Sequence, residues 1–346
     1  MSIAVEMKRL WLLLAVACSY TLIETFQLFA LLQTPGAQVH LLEVSGLTEG
    51  GDAQFQPRIP RSKTISLKDL SDLSSWPLVK TPRQEVFVTT MKAYGIKLDL
   101  TPVVLYDRSG LLFAAKAWWV FTVFGRDYVT VLNGGLPKWI REGYATSVGE
   151  PLGLLDPVLQ GDLDYGYQLD PTRMWTVKDL TMLSGSLATP QQPVQLLDVR
   201  SKSDFDLSSV RGSINMPIDI VRRADGTLRT AIELTMIFQL YTVRLSNEVL
   251  TVVMGLNGVD SCMALLSLAV VGSDRSAMVD GGWQEYSQWL RNGTGAKAVT
   301  ARAEMETRQG DWSWGLALGV LVLGGGVCCY GKKRALAQPR FAEKWL

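Results

Sequence analysis

The sequence has little of what metal sites, disulfide frameworks and nucleic-acid-binding surfaces require. Its 346 residues include one histidine, His40, which excludes a multi-histidine metal site. The cysteines, Cys18, Cys262, Cys328 and Cys329, have the spacing of neither a zinc ribbon nor a disulfide framework. Lys and Arg total 34 against 33 Asp and Glu, so no net positive field is available to attract nucleic acid. We therefore expect no cofactor and no nucleic-acid partner.

Charged residues are also scarce, at 19% of the chain against 47% hydrophobic residues, which favours contact with lipid or extensive burial against partners. Residues 312–331 (WSWGLALGVLVLGGGVCCYG) contain no charge and lie between Asp311 and the basic tail 332–346. A helix over Trp314–Tyr330 would be roughly 26 Å long, close to the thickness of the hydrocarbon core. The sequence therefore predicts a C-terminal transmembrane helix.

Three kinds of residue mark this predicted anchor: interfacial aromatic residues, glycines that allow a second helix to approach, and cations at the end. They are Trp314, Gly315, Gly319, Gly324, Tyr330, Lys332, Lys333 and Arg334. The positive-inside rule places the basic tail in the cytosol or matrix and the folded part across the membrane. The expected partners are membrane lipid and other transmembrane subunits.

A second apolar stretch lies at the N-terminus. Leu10–Ser19 follows Lys8 and Arg9, as the hydrophobic region of a targeting signal follows its basic region. The stretch is short for a full span, and we interpret it as a helix that lies on the membrane or against a partner. A signal relic and a second anchor remain open alternatives.

Between these ends the sequence repeats itself at a spacing of roughly 147 residues. Each copy has a β-branched strand, a turn of small residues, a helix, a second strand, and a Gly-Gly pair that opens another helix. The predicted strands and helices are Val103–Tyr106, Leu112–Phe124 and Tyr128–Leu132 in the first copy, and Thr251–Met254, Val259–Val271 and Ala277–Val279 in the second. Alternating strands and helices predict an α/β fold with parallel sheets.

The domain boundaries follow from this repeat and from the two apolar ends. We predict an N-terminal extension (1–19), a first domain (20–148), a linker rich in Gly, Pro, Asp and Leu (149–172), a second domain (173–294), a juxtamembrane segment (295–311), the transmembrane helix (312–331) and the basic tail (332–346).

Five segments resemble the tandem rhodaneses, the family of thiosulfate and mercaptopyruvate sulfurtransferases. They are Val103–Gly125 (VVLYDRSGLLFAAKAWWVFTVFG), Val129–Tyr144, Leu196–Phe205, Val210–Pro217 and Val279–Leu290. The resemblance covers roughly residues 21–292 and implies two three-layer α/β/α domains with central parallel sheets.

The same resemblance implies a catalytic cysteine on the loop between a central strand and the next helix. Backbone N–H groups and the helix N-terminus stabilise a thiolate there. The alignment places this loop at residues 254–259, with the nucleophile position at Gly255 followed by Leu256, Asn257, Gly258 and Val259. Because glycine has no side chain, the loop offers no acceptor atom for sulfur, and we interpret it as degenerate.

Two residues outside the loop are candidate site residues. Cys262 lies about seven residues further on, roughly 10 Å along the helix, and is interpreted as a small buried hydrophobic residue. Arg200 matches a family arginine near the substrate, with a solvated ion pair or a helix cap as the alternative. We therefore treat it as vestigial, and we name no catalytic residue.

These features predict a pseudoenzyme, a non-catalytic accessory subunit of a membrane protein complex. The resemblance makes the mitochondrial inner membrane the expected location, with the respiratory chain or ATP synthase as host and the folded domains in the intermembrane space. Aromatic residues on the predicted helices, Trp118, Trp119, Trp139, Trp283 and Trp289, would support a subunit interface if exposed, but tryptophans are more often core than interface and add little alone. The alternatives are a membrane-bound sulfurtransferase with an atypical nucleophile and a membrane tether for a soluble partner.

Overall fold

The computed structural model describes residues 21–47, 56–75, 77, 79–149, 154, 165–183 and 193–292. The chain divides into two units, Met1–Trp289 and Leu290–Leu346. The elements below belong to the first unit, apart from the last residues of the final helix. The predicted anchor at 312–331 and the N-terminal stretch at 1–19 lie outside the described residues. Within the described ranges, no helix is both long enough and apolar enough to span a bilayer.

The first half of the chain builds one parallel sheet. Its strands are β1 (Leu22–Ile23), β2 (His40–Ser45), β3 (Lys63–Ser66), β4 (Val103–Tyr106) and β5 (Val129–Leu132), and its helices are α1 (Thr25–Gln33), α2 (Gln84–Tyr94), α3 (Leu112–Val123) and α4 (Gly135–Arg141). The strands lie in the order β1-β5-β4-β2-β3. All neighbouring pairs are parallel.

The second half repeats the same arrangement. Its strands are β6 (Met174–Trp175), β7 (Val194–Asp198), β8 (Ile214–Asn215), β9 (Leu250–Met254) and β10 (Ser276–Val279), and its helices are α5 (Val177–Leu183), α6 (Lys202–Leu207), α7 (Ala231–Leu240), α8 (Val259–Val270) and α9 (Gly282–Arg291). The strand order, β6-β10-β9-β7-β8, matches that of the first sheet, and the pairs are again parallel. The prediction of an α/β fold with two parallel sheets is confirmed.

Each sheet is covered on both faces because its strands are apolar on both sides. In β4, Val103 and Leu105 pack in a core with α2 and α3, whereas Val104 and Tyr106 pack in a second core with α1 and α4. Side chains alternate in the same way in β9, where Val253 packs in the core with α8. Fully buried parallel strands carry such continuous apolar runs.

Helices α3 and α8 pack against each other and join the two halves through one continuous core. The tryptophans of the first half lie inside, with Trp118, Trp119 and Trp139 at 5%, 0% and 2% exposure. These three tryptophans therefore belong to the core and not to an exposed helix face. They fill the interior because each indole removes a large apolar area from water.

Candidate active site

The loop between β9 and α8 has the geometry of a strand–turn–helix anion site. Strand β9 ends at Met254, and α8 begins at Val259 after Gly258, which has the left-handed backbone angle φ 88°. A Cβ atom at residue 258 would lie 2.5 Å from the carbonyl oxygen of Asp280, so only glycine fits. The loop therefore brings its N–H groups to the N-terminus of a twelve-residue helix.

Helix α9 holds this loop in place. The Trp283 N–H donates to the Gly255 carbonyl oxygen at 2.9 Å, and the Gln284 N–H donates to the Leu256 carbonyl oxygen at 2.9 Å. The loop carbonyls therefore point toward α9, and the backbone of residues 255–256 is fixed without any loop side chain.

Two neighbouring residues of α8 pack closely against Gly255. A Cβ atom built on Gly255 would lie 3.0 Å from both the backbone nitrogen and the Oγ of Ser261, and 3.2 Å from the Cβ of Asp260. Ser261 is fully buried, and its hydroxyl has no hydrogen-bond partner within the part of the chain that the structure describes. The sequence alone does not show that either residue packs against Gly255.

In the first half, the equivalent loop carries an acidic side chain. Asp107 is the first residue after β4, as Gly255 is after β9. Its buried carboxylate accepts four backbone N–H bonds of 2.7–3.0 Å, from Ser109, Leu111, Phe113 and Ala114. One carboxylate thus satisfies the donors of the turn and of the first turn of α3.

The second half fills its loop differently. Counted from the end of the strand, the corresponding donors belong to Asn257, Val259, Ser261 and Cys262. The Asn257 side-chain oxygen accepts the Val259 N–H at 3.2 Å. The backbone N–H of Leu256 favours the charged form of the Asp260 carboxylate. Burial, followed by the nearby charge of Asp219, raises the pKa of Asp260 above its ordinary value.

Cys262 lies next to the loop, but its sulfur faces the interior. The thiol donates to the carbonyl oxygen of Gly258 at 3.1 Å and lies 3.6 Å from the sulfur of Met278. Its side chain is fully buried, and burial raises the pKa of the thiol to about 12. A protonated, inward-facing thiol is a poor nucleophile.

Arg200 is held by contacts within the protein. Its guanidinium donates two bonds from Nε and Nη2 to the Asp198 carboxylate at 3.0 and 2.7 Å, and one to the Ser208 carbonyl oxygen at 2.8 Å. Its carbon Cζ lies 3.8 Å from the centre of the Trp283 ring. Only 6% of the residue is exposed. This arginine therefore orders the chain between β7 and α6 and supports α9.

The first half contributes residues that close the far side of the loop. The Asp280 carboxylate, which follows β10, accepts hydrogen bonds from the backbone N–H and the hydroxyl of Thr81, each at 3.0 Å. The buried ammonium of Lys116 on α3 lies 3.9 Å from the same carboxylate. In the reciprocal position, the Asn133 side chain accepts the Leu228 N–H at 2.8 Å. The two halves therefore exchange equivalent contacts beside the two loops.

A separate cleft of about 1040 Å³ is lined by residues of both halves, among them Asn133 and Lys138. Its cationic side chains are paired with carboxylates: Lys138 with Glu24, Arg141 with Asp225, and Arg223 with Glu233. This cleft therefore offers no free cation from these three residues for an anionic substrate. The β9–α8 loop is the better candidate for chemistry.

Comparison with known proteins supports that choice. A family profile for the Rhodanese-like domain matches residues 184–288. Thiosulfate/3-mercaptopyruvate sulfurtransferase 2 of Arabidopsis thaliana is 30% identical over 249 residues, which cover 66% of this chain and 72% of that protein. Thiosulfate sulfurtransferase of Bos taurus is 27% identical over 264 residues, covering 73% and 87%. The crystal structure of the 3-mercaptopyruvate sulfotransferase SseA from Escherichia coli matches with a TM-score of 0.63 and 24% identity, covering 76% of this chain and 98% of SseA.

These relatives overturn the expectation of a non-catalytic membrane subunit of the respiratory chain or ATP synthase. The curated proteins that the chain matches across both halves are named as sulfurtransferases. The pseudoenzyme prediction was wrong because it equated a missing side chain at residue 255 with a missing site. Glycine at that position removes only the covalent route through residue 255, whereas the strand end, the left-handed Gly258 and the helix N-terminus are all present.

Proposed function

Because the chain belongs to the two-domain rhodanese family of thiosulfate and 3-mercaptopyruvate sulfurtransferases, we propose that it is a sulfurtransferase whose site is the β9–α8 loop. The observation that carries the proposal is the loop itself. Gly255–Gly258 keep the backbone course of an anion-binding turn at the start of α8, and α9 holds them there. A small sulfur donor such as thiosulfate, or alternatively 3-mercaptopyruvate, is the substrate that this class of site takes.

With glycine at residue 255, the sulfur passes directly from donor to acceptor. For thiosulfate, an acceptor thiolate attacks the outer sulfur of the donor while both are bound. The new S–S bond forms as the S–S bond of thiosulfate breaks, and sulfite leaves with the bonding electron pair. The N–H groups at the start of α8 stabilise the negative charge that develops on the leaving group. Holding both reactants in one site replaces the covalent intermediate of the two-step route.

The test is steady-state kinetics of the purified full-length chain in mild detergent. Thiosulfate and a thiol or cyanide acceptor are varied together, and persulfide or thiocyanate is measured. Direct transfer predicts intersecting double-reciprocal lines, whereas a covalent enzyme persulfide gives the parallel lines of a ping-pong mechanism. Product formation no faster than with heat-denatured protein, for thiosulfate and for 3-mercaptopyruvate, overturns the proposal.

The sequence also supports a membrane-anchored form of this enzyme, with residues 312–331 as the span and the folded halves opposite the basic tail. Gly315, Gly319 and Gly324 suit close contact with a neighbouring transmembrane helix. The mitochondrial inner membrane remains the proposed location. Resistance of the full chain to extraction by alkaline carbonate supports the anchor, and release into the supernatant contradicts it.

A further inference from the structure

A cavity of about 400 Å³ lies between the two halves, away from the β9–α8 loop. Trp118 and Arg126 line it from the first half, and Arg173, Ala269 and Ser276 line it from the second. Because Ala269 lies near the end of α8, roughly 15 Å of helix separates this cavity from the loop at the start of α8. The sulfur transfer proposed above therefore makes no use of it.

Arg173 places a poorly satisfied cation at this cavity. Its half-buried guanidinium lies over the Trp119 ring, with Cζ 4.6 Å from the ring centre. Nε donates to the Ser276 carbonyl oxygen at 3.3 Å and Nη2 donates to the Ser276 hydroxyl at 3.5 Å, and both bonds are long. Nη1 has no partner among the described residues.

The charge of Arg173 is also uncompensated at close range. Within the described ranges, no carboxylate forms an ion pair with it. Burial lowers the pKa of this guanidinium, and the charges of Asp170 and Asp274, which raise the pKa, do not offset the burial. An anion bound in the cavity would supply the missing charge and the missing acceptor.

Arg126 brings a second guanidinium to the same cavity, and only 1% of this residue is exposed. Its Nη1 and Nη2 donate to the backbone carbonyl oxygens of Lys97, Asp99 and Thr101, and Nη2 lies 3.4 Å from the exposed Asp99 carboxylate. Its Nε is buried and has no partner in the part of the chain that the structure describes. A buried N–H without an acceptor is costly, which again favours a ligand oxygen here.

The rest of the lining indicates which kind of anion fits. Trp118, at 5% exposure, and Tyr128 provide aromatic walls. Asp127 and Asp274 also line the cavity, and both are exposed. Their charges are screened by water, yet they repel a dianion about twice as strongly as a monoanion. The cavity therefore suits a monovalent anion with an apolar body better than sulfate or phosphate.

We propose that this cavity binds a small organic carboxylate, whose oxygens accept hydrogen bonds from Arg173 and whose apolar part packs against Trp118. The planar guanidinium presents parallel N–H groups that match the two oxygens of a carboxylate. Arg126 adds positive charge from the first half. The ligand contacts both halves, and by binding only the folded chain it stabilises their association. This site does not depend on the sulfurtransferase reaction.

The experiment titrates the full-length protein, in mild detergent, with three aromatic probes of similar shape and different charge. They are para-fluorobenzoate, para-fluorobenzamide and para-fluorobenzylamine, and fluorine NMR line broadening measures the binding of each. The benzoate is expected to bind, and the neutral amide is expected to bind at least about tenfold more weakly because it lacks charge-assisted hydrogen bonds. The cationic amine is expected not to bind. Inorganic sulfate at equal ionic strength is expected not to displace the benzoate.

Two variants and one matched control locate the binding. Arg173→Met removes the guanidinium and is expected to weaken benzoate binding by about 10–100-fold. Ala269→Leu keeps both arginines, fills part of the cavity and is expected to weaken binding as well, and it replaces Arg173→Met if that variant does not fold. Arg275→Met is the control, since Arg275 is an exposed arginine that donates to the Glu248 carbonyl oxygen at 2.9 Å and does not line the cavity. It is expected to bind benzoate as wild type does.

Several results would overturn the assignment. No binding of benzoate at millimolar concentration, or equal binding of benzoate and amide, contradicts it. Unchanged affinity in Arg173→Met means that this guanidinium only offsets the negative C-terminal ends of α3 and α8, which reach the cavity at Thr122 and Ala269. Tighter binding of the amine indicates a cation site, and displacement by sulfate indicates an inorganic anion site. None of these outcomes bears on the proposed sulfurtransferase function, which its own kinetics test.

Discussion

Asp107 and Gly255 occupy equivalent positions, each being the first residue after the central strand of its sheet. Asp107 fills its loop with a carboxylate that accepts four backbone N–H bonds, whereas at Gly255 the neighbouring atoms of Ser261 and Asp260 come within 3.0–3.2 Å of where a Cβ would lie. The first half therefore satisfies its loop with the side chain of the first loop residue, whereas the second half has no side chain at that residue. The predictions below follow from this difference.

Gly255→Cys is expected to change the kinetic mechanism from direct to two-step transfer. The backbone of Gly255 does not have a left-handed φ, so a side chain is allowed there, although its Cβ would lie 3.0 Å from Ser261. This crowding is expected to cost about 1–3 kcal/mol of stability. After incubation with thiosulfate, intact-mass spectrometry should detect one added sulfur atom, and the double-reciprocal lines should become parallel. Gly255→Asp is the matched control, since its side chain meets the same crowding but has no sulfur nucleophile and should gain no mass.

Asp107→Asn is expected to destabilise the first half. The amide keeps the shape of the side chain but replaces one acceptor oxygen with an NH2 group, which faces backbone N–H donors and cannot accept from them. Losing these charge-assisted bonds in a fully buried turn is expected to cost about 2–4 kcal/mol. Urea denaturation measures the loss. Asp206→Asn serves as the exposed control, and an unchanged free energy of unfolding in Asp107→Asn would show that the carboxylate does not hold this turn.

Cys262 is expected to be unreactive in the folded protein. Because burial raises the pKa of its thiol to about 12, almost none of it is thiolate at neutral pH, whereas an exposed thiol has a pKa of about 8.5. In a variant with Cys18, Cys328 and Cys329 replaced by serine, a maleimide should label Cys262 only after denaturation. Cys262→Ala should keep its sulfurtransferase activity. Loss of activity in folded Cys262→Ala would mean that this thiol takes part in the reaction.

Asp260→Asn is expected to be more stable than wild type at neutral pH and equal to it in acid. The pKa of Asp260 is raised by burial and by Asp219, so the folded state keeps this proton to a higher pH than the unfolded state does. Between the two pKa values the folded chain binds more protons, and wild-type stability falls as pH rises through that window. Asparagine does not titrate and avoids this loss. Urea denaturation at a series of pH values measures the free energy of unfolding of both proteins. A stability difference between Asp260→Asn and wild type that grows as the pH falls would contradict the prediction.

The central strands and helices were predictable from the sequence. The strands Val103–Tyr106 and Leu250–Met254 and the helices that follow them lie within one residue of their predicted bounds. Long apolar runs ending at glycine-containing turns determine such elements locally. The edge strand Leu22–Ile23 could not be predicted, because two residues carry no periodic pattern. Only its pairing with β5 makes it a strand, and α1 begins at Thr25 after Glu24.

The sequence by itself determined the repeat, the two parallel sheets and the glycine at residue 255, because each of these depends only on the local residue pattern and its spacing along the chain. Only the tertiary structure decided how closely Ser261 and Asp260 pack against that glycine. It also decided that the Arg200 guanidinium donates to Asp198 and Ser208 and lies over the Trp283 ring. The direction that a helical side chain takes, and the partners that it meets, depend on how helices and strands distant in the chain pack together.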